Sequence, residues 1–115
     1  MIVRIWRTQV DPGRVVEYEQ FARERSLPMF RKQPGFLGVL FARSSGDCAV
    51  IPLWKDRAAV ESLKSSPTYR DAVAQIGAAG FPRGEASTDV YDMHGAEVTP
   101  ALLLGAKARA GGDGP

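Results

Sequence analysis

Gln33–Trp54 reads QPGFLGVLFARSSGDCAVIPLW, and the fold turns on this stretch. Gln33-Pro34-Gly35 is a stop signal for a preceding helix, since proline lacks the N–H a helix needs and glycine accepts the turn that follows. Two runs rich in β-branched and aromatic residues, about 35–43 and 48–54, flank Ser44-Ser45-Gly46-Asp47. That is the composition of a β-hairpin and its turn. Apolar residues stand on both faces of both runs, whereas a strand with one wet side alternates. Both faces of the sheet must therefore be covered. Pro52 cannot donate to a ladder and predicts a bulge, or pairing that stops just before Trp54.

Upstream, residues 2–10 read as a strand with Val3 and Ile5 on one side and Ile2, Trp6 and Val10 on the other. VDPGRVVEYEQFARERS follows as a helix. Asp11 is suited to cap it and Pro12 to its first position. Val15, Tyr18, Phe21 and Ala22 form its apolar stripe, and Glu19 and Arg23 an i,i+4 pair outside. Pro28 predicts a kink or interruption near Ser26, with Met29 and Phe30 carrying the apolar face one turn further.

Downstream, Asp56 caps a short helix holding Ala59, Val60 and Leu63. Ser66-Pro67 starts another, with Tyr69, Ala72, Val73 and Ile76 at helical spacing and Gly77 as its stop. Residues 77–86 are loop, and 87–93 a last strand. The order is β-α-β-β-α-β. It predicts an α+β, ferredoxin-like sandwich: an antiparallel four-stranded sheet with the helices on one face, over residues 1–94. Residues 95–115 form an Ala/Gly-rich C-terminal tail, in which ALLLGAKARA has short-helix character and Leu102–Leu104 is a candidate to drape over a neighbour.

The helices leave one sheet face to explain. It carries Trp6 or Ile5, Phe36 or Leu37, Val39 or Leu40, and Val50 or Ile51. Such a patch exceeds what a monomer usually exposes, and a second copy packed about a two-fold axis is the simplest cover. A homodimer built sheet to sheet is expected, and a carboxylate at Val39 is expected to split or unfold it.

Composition narrows the partners. The 115 residues carry fifteen Lys and Arg against thirteen Asp and Glu, a formal charge of +2, with no block of like charge. Nothing there argues for nucleic acid. The opening MIVRIWRTQV is strand pattern rather than a signal peptide, and no run approaches the roughly 20 apolar residues of a membrane span. One cysteine allows no internal disulfide and suits a reducing cytoplasm. Cys48 and His94 alone make no metal constellation.

With this outline, the chain resembles the antibiotic biosynthesis monooxygenase-like family of dimeric α+β barrels. The residues that carry the likeness are IVRIWR, SLPMFRKQPGFLG, the hairpin, and LW before the capped helix, over about residues 1–94. The resemblance implies pairing as a dimeric barrel. It also implies varied chemistry: some members are cofactor-free oxygenases that turn anthrones or quinols into quinones, and others degrade haem. Haem degraders pair the tryptophan with a histidine ten residues on and an asparagine in the first strand. Here those places hold Lys64 and a strand without asparagine, which weakens the haem reading.

An oxygenase without cofactor needs an apolar slot for a flat electron-rich ring, exclusion of water, and a donor for the anion formed on deprotonation. Trp54 is the first candidate, because it matches the family's tryptophan and its indole N–H can donate to a substrate oxygen. Tyr69 and His94 complete the catalytic candidates, His94 as the one side chain suited to act as a base near neutrality. Trp6, Tyr18, Phe21 and Phe30 are the candidate walls, each also explicable as core. Arg4 and Arg43 lie within strands and are expected at edges, reaching water. Cys48 packs as a small hydrophobe. The leading expectation is a cofactor-independent monooxygenase on an anthrone- or quinol-like substrate. A non-catalytic small-molecule-binding or stress-response barrel is the alternative.

Overall fold

The computed structural model describes residues 1–102. Four strands, β1 (Ile2–Gln9), β2 (Phe36–Ser44), β3 (Asp47–Trp54) and β4 (Ser87–Asp92), form one sheet in the order β2-β3-β1-β4, with every pair antiparallel. Helices α1 (Val15–Phe21), α2 (Leu27–Arg31), α3 (Arg57–Ser65) and α4 (Pro67–Ala78) complete the ferredoxin-like α+β fold. The expected element order is realised.

Between α1 and α2 the chain does not break. Ala22–Ser26 is a π-helical segment, and the Leu27 N–H bonds the Ala22 carbonyl, five residues back. Pro28 has no N–H to give and would crowd the carbonyl four residues earlier in a regular α-helix. The widened turn just before it absorbs that conflict, so the expected kink appears as a bulge in a continuous path. Glu19 also departs from expectation: it reaches Arg43 of β2 at 3.1 Å instead of pairing with Arg23.

α3 begins as expected, with the Asp56 Oδ1 accepting from the Ala59 N–H at 2.9 Å. α4 runs one residue past Gly77, and it is Gly80, at φ +76°, that takes the left-handed turn after it. Gly35 is also left-handed, at φ +76°, and a Cβ there would stand 2.5 Å from that of Ala59. Only glycine lets β2 start this close to α3.

Sheet parity follows burial. On β1, Ile2, Arg4, Trp6 and Thr8 face the helices, and on β3 so do Cys48, Val50, Pro52 and Trp54. The β1–β3 ladder lapses opposite Pro52, between Val3↔Leu53 and Trp6↔Val50, while β3 still runs through Trp54. The β2–β3 register slips between Phe36 and Gly38. This bulge puts both Phe36 and Val39 on the helix side, where they pack against the core. Val39 therefore does not belong to the open face, where it was expected. The open face holds Val3, Ile5, Leu40, Ile51, Leu53 and Tyr91, with Leu40 49% and Tyr91 52% exposed.

The core divides into two clusters. One gathers Ile2, Met29, Phe30, Trp54, Val60 and Leu63; the other gathers Val10, Val15, Tyr18, Cys48, Ile76 and Phe81. Trp6 packs against both. Among the described residues no helix is long and apolar enough to cross a membrane. Of the tail, residues 95–102 are described; the expectation for Leu102–Leu104 falls mostly outside the described residues.

Candidate functional site

A cavity of about 30 Å³ lies at the seam between the two clusters, between sheet and helices. Trp6 and Val50 line it from the sheet, Tyr18, Ser26, Met29 and Phe30 from the first helical run, and Tyr69, Ala72, Val73 and Ile76 from α4. Its polar wall is Arg4. Arg4 is only 7% exposed, yet among the described residues its guanidinium has no carboxylate partner. Its Nη2 donates to the Tyr69 hydroxyl at 3.0 Å, its Cζ stands 5.5 Å from the centroid of that ring, and its Nε has no acceptor among the described residues.

Local chemistry holds Tyr69 in place. The Ser66 Oγ accepts from the Tyr69 N–H at 3.4 Å, which caps α4 and fixes its first turn. Gln33, from the QPG signal, is buried and donates through Nε2 to the Met29 carbonyl at 3.2 Å and the Thr68 Oγ1 at 3.0 Å. The helix stop is thus also the clamp between α2 and the start of α4.

The cavity brings together four sequence candidates: Trp6, Tyr18, Phe30 and Tyr69. Trp54 is not among its walls. It is 0% exposed, meets Phe30 and Phe36 edge to face with centroids 6.2 and 5.9 Å away, and its Nε1 finds no acceptor among the described residues. Phe21 packs against Phe81 at 6.0 Å in the second cluster. His94 is exposed beyond the end of β4. Lys64 is on the surface of α3, paired with Glu61 at 3.2 Å.

Arg4 corrects the expectation of an edge arginine reaching water. The signal for it was present: Arg4 has the parity of Ile2 and Trp6, which were expected to face one way. Ser26 was not singled out either. It reaches the cavity as the last residue of the π-helical turn that Pro28 imposes.

Burial pushes the Tyr18 phenol well above its usual range, with the neighbouring Cys48 adding to the shift. The Cys48 thiol is raised too, mainly by burial; Arg43 opposes the shift, and Glu19 and Asp47 reinforce it. Both groups are neutral at physiological pH, Tyr18 as a wall of the cavity and Cys48 in the core beside it. Tyr18 and Val50 also border a larger groove of about 450 Å³ between α1 and β2, with Ala22, Val39, Phe41 and the Glu19–Arg43 pair in its lining.

A wider depression of about 830 Å³ lies by the hairpin turn, lined in part by Arg7, Arg43 and Arg83. Each of these pairs with a carboxylate, of Asp89, Glu19 and Asp11 respectively, so none is a buried charge in want of a partner. Among the described residues, no three His, Cys, Asp or Glu side chains stand together as metal ligands. The Arg4 cavity is the better candidate site.

Residues 1–75 match the family model described as antibiotic biosynthesis monooxygenase, a span that includes Arg4 and Tyr69. No curated protein matches the sequence. Among solved structures, Rv0793 from Mycobacterium tuberculosis is similar with a TM-score of 0.68 at 17% identity, over 84% of this chain and 98% of that one. A mutant of SnoaB, a cofactor-independent oxygenase from Streptomyces nogalater, is similar with a TM-score of 0.67 at 18% identity, over 83% and 94%. NE2512 from Nitrosomonas europaea, of unknown function, is similar with a TM-score of 0.70 at 14% identity, over 85% and 93%. At these identities the likeness is one of fold.

Proposed function

Since the chain belongs to the antibiotic biosynthesis monooxygenase family, we propose that it is a cofactor-independent monooxygenase that oxidises an electron-rich, anthrone- or quinol-like aromatic with O₂. The observation that carries the proposal is the Arg4–Tyr69 pair at the wall of an aromatic-lined cavity. For an anthrone the balance is simple. The ring CH₂ loses two hydrogens and gains one oxygen atom, and the second oxygen leaves as water with those hydrogens.

The protein's part is to hold the ring, keep bulk water away and stabilise negative charge on the ring oxygen. Trp6, Phe30 and Tyr18 are the walls, and Arg4 and Tyr69 the donors. Trp54 acts through Phe30, which it backs; Phe21 supports the wall from the second cluster; His94 takes no part in this proposal. A multi-ring substrate exceeds 30 Å³, which holds roughly one or two waters. The adjoining groove of about 450 Å³ shares Tyr18 and Val50 with the cavity and has the size for such rings.

The family forms dimeric barrels, and we read the open face around Leu40, Ile51 and Tyr91 as the surface that a second copy covers. The free, buried Cys48 is consistent with a cytoplasmic protein. A second reading, ligand binding without turnover, is favoured by one observation: the Arg4 cavity is small and nearly filled by its own side chains. Oxygen uptake by the purified protein, without flavin, metal or haem, over a panel of anthrones and hydroquinones decides between them. Uptake with the matching quinone, lost in Tyr69→Phe, supports the oxygenase. Uptake no faster than the uncatalysed rate supports the binding reading.

A further inference from the structure

Most charged side chains of this protein sit where water or a carboxylate answers them. Among the described residues, every member of the six ion pairs keeps about a third or more of its side chain exposed. Arg4 is the exception: 7% exposed, its charge unanswered by any carboxylate among the described residues, and its Nε without an acceptor at a cavity wall. Arginine keeps its charge in proteins, so burial cannot be relieved by loss of a proton. A lone buried charge is costly, and a well-packed apolar residue in its place is often neutral or stabilising. Fold stability alone therefore does not account for Arg4.

Resting on the site proposed above, we infer that this site takes its aromatic ligand as an anion, with a phenolate or carboxylate oxygen received by the Arg4 guanidinium at its unpaired Nε. Two features make Arg4 a receptor rather than a strained core residue. The hydrogen bond to Tyr69 and the position of the guanidinium near that ring hold it fixed, so little order is lost when a ligand arrives. The walls beside it, Trp6, Met29, Phe30 and Val50, offer no competing negative charge and a flat apolar bed for a ring. A neutral analogue of the same shape leaves the cation unanswered and is rejected, since charge-assisted bonds in a dry site outweigh neutral ones.

The test is isothermal titration calorimetry on the full chain, with probe pairs that differ in charge and little in shape. One arm compares 2-naphthoate with 2-naphthamide; the other compares 2,4-dinitro-1-naphtholate with its methyl ether. The anion of at least one arm is expected to bind about tenfold or more tightly than its neutral partner. The arm that responds tells carboxylate from phenolate. Arg4→Met is expected to keep the fold by circular dichroism and lose that preference. Should it fail to fold, Arg4→Gln replaces it. Equal binding within both pairs, no binding by either anion, or a preference that survives loss of Arg4 overturns the inference. Anion binding without oxygen uptake would remove the oxygenase reading alone. Uptake with a neutral substrate and no anion preference would remove this inference alone.

Discussion

Arg4 and Tyr69 lie 65 residues apart and meet across the gap between β1 and α4, the guanidinium donating to the hydroxyl at 3.0 Å. Three local features converge to make that contact. Strand parity sends Arg4 under the helices with Ile2 and Trp6. The Ser66 cap sets the first turn of α4, and Gln33 ties that turn to the end of α2. The result is a fixed cation at the wall of a cavity that is otherwise largely apolar.

The pair has opposite mutational signs at its two ends. Tyr69→Phe removes the acceptor and leaves more of a buried cation unanswered, so unfolding free energy should fall by about 1–3 kcal/mol. Arg4→Met removes the charge itself and should be neutral or stabilising by up to about 4 kcal/mol. In the double variant Tyr69→Phe should cost little, giving a coupling of about 0.5–3 kcal/mol. Urea denaturation of the four proteins measures the cycle. Additive effects would mean that the 3.0 Å contact carries no energy.

The open sheet face makes a prediction that distinguishes neighbours in sequence. Leu40, 49% exposed, belongs to the face proposed for the partner, whereas Val39 packs against the core under the helices. Leu40→Asp should give a folded monomer, because the carboxylate returns to water once the copies part. Val39→Asp should instead destabilise the chain itself, by about 1–3 kcal/mol, because it sets a carboxylate half-buried against the core. Sedimentation velocity with circular dichroism separates the outcomes. A dimer that persists in Leu40→Asp would remove the sheet-to-sheet packing.

Much of the fold was legible because its signals agree. The Pro-Gly stop, the Ser-Gly turn, the Asp56 and Ser66 caps and the apolar stripes all point to one element order. Four cavity walls were legible too, since aromatics at periodic positions share a face. What failed was parity where something interrupts it. The slip between Phe36 and Gly38 inserts a residue, so counting by twos from Phe36 misplaces Val39. Arg4 was misjudged for a different reason: its charge argued for water while its register argued for the core, and the register prevailed. Trp54 was legible as a buried aromatic. Its separation from the cavity by Phe30 depends on packing that no local pattern encodes.

Trp54 should therefore matter to stability more than to chemistry. It is 0% exposed among Phe30, Phe36 and the aliphatic core, with an indole N–H that lacks an acceptor among the described residues. Trp54→Phe deletes packed atoms but also relieves that unanswered donor, so a net loss of about 1–3 kcal/mol is expected. Ligand affinity should change by no more than about threefold, through Phe30 alone. Thermal unfolding and calorimetric titration of one preparation compare the two effects. A large loss of affinity at unchanged melting temperature would put the indole N–H in contact with ligand.

Alkaline pH should weaken the fold through Tyr18 and Cys48. Both are raised in the folded state, chiefly by burial, from ordinary values of 10.0 for the phenol and 9.0 for the thiol. The unfolded chain then releases these protons at a pH where the folded chain still holds them. Stability is fully present below about pH 8 and falls as pH rises, first through Cys48 and, above about pH 10, through Tyr18. Each group contributes a slope of at most about 1.4 kcal/mol per pH unit while only its unfolded form is ionised. Tyr18→Phe should flatten the fall above pH 10 and leave the earlier part, and Cys48→Ala should do the reverse. Urea midpoints between pH 7 and 11 follow both. If the Tyr18→Phe curve runs parallel to that of the unaltered protein, the phenol ionises as readily in the folded chain as in the unfolded one, and Tyr18 is not the dry cavity wall described above.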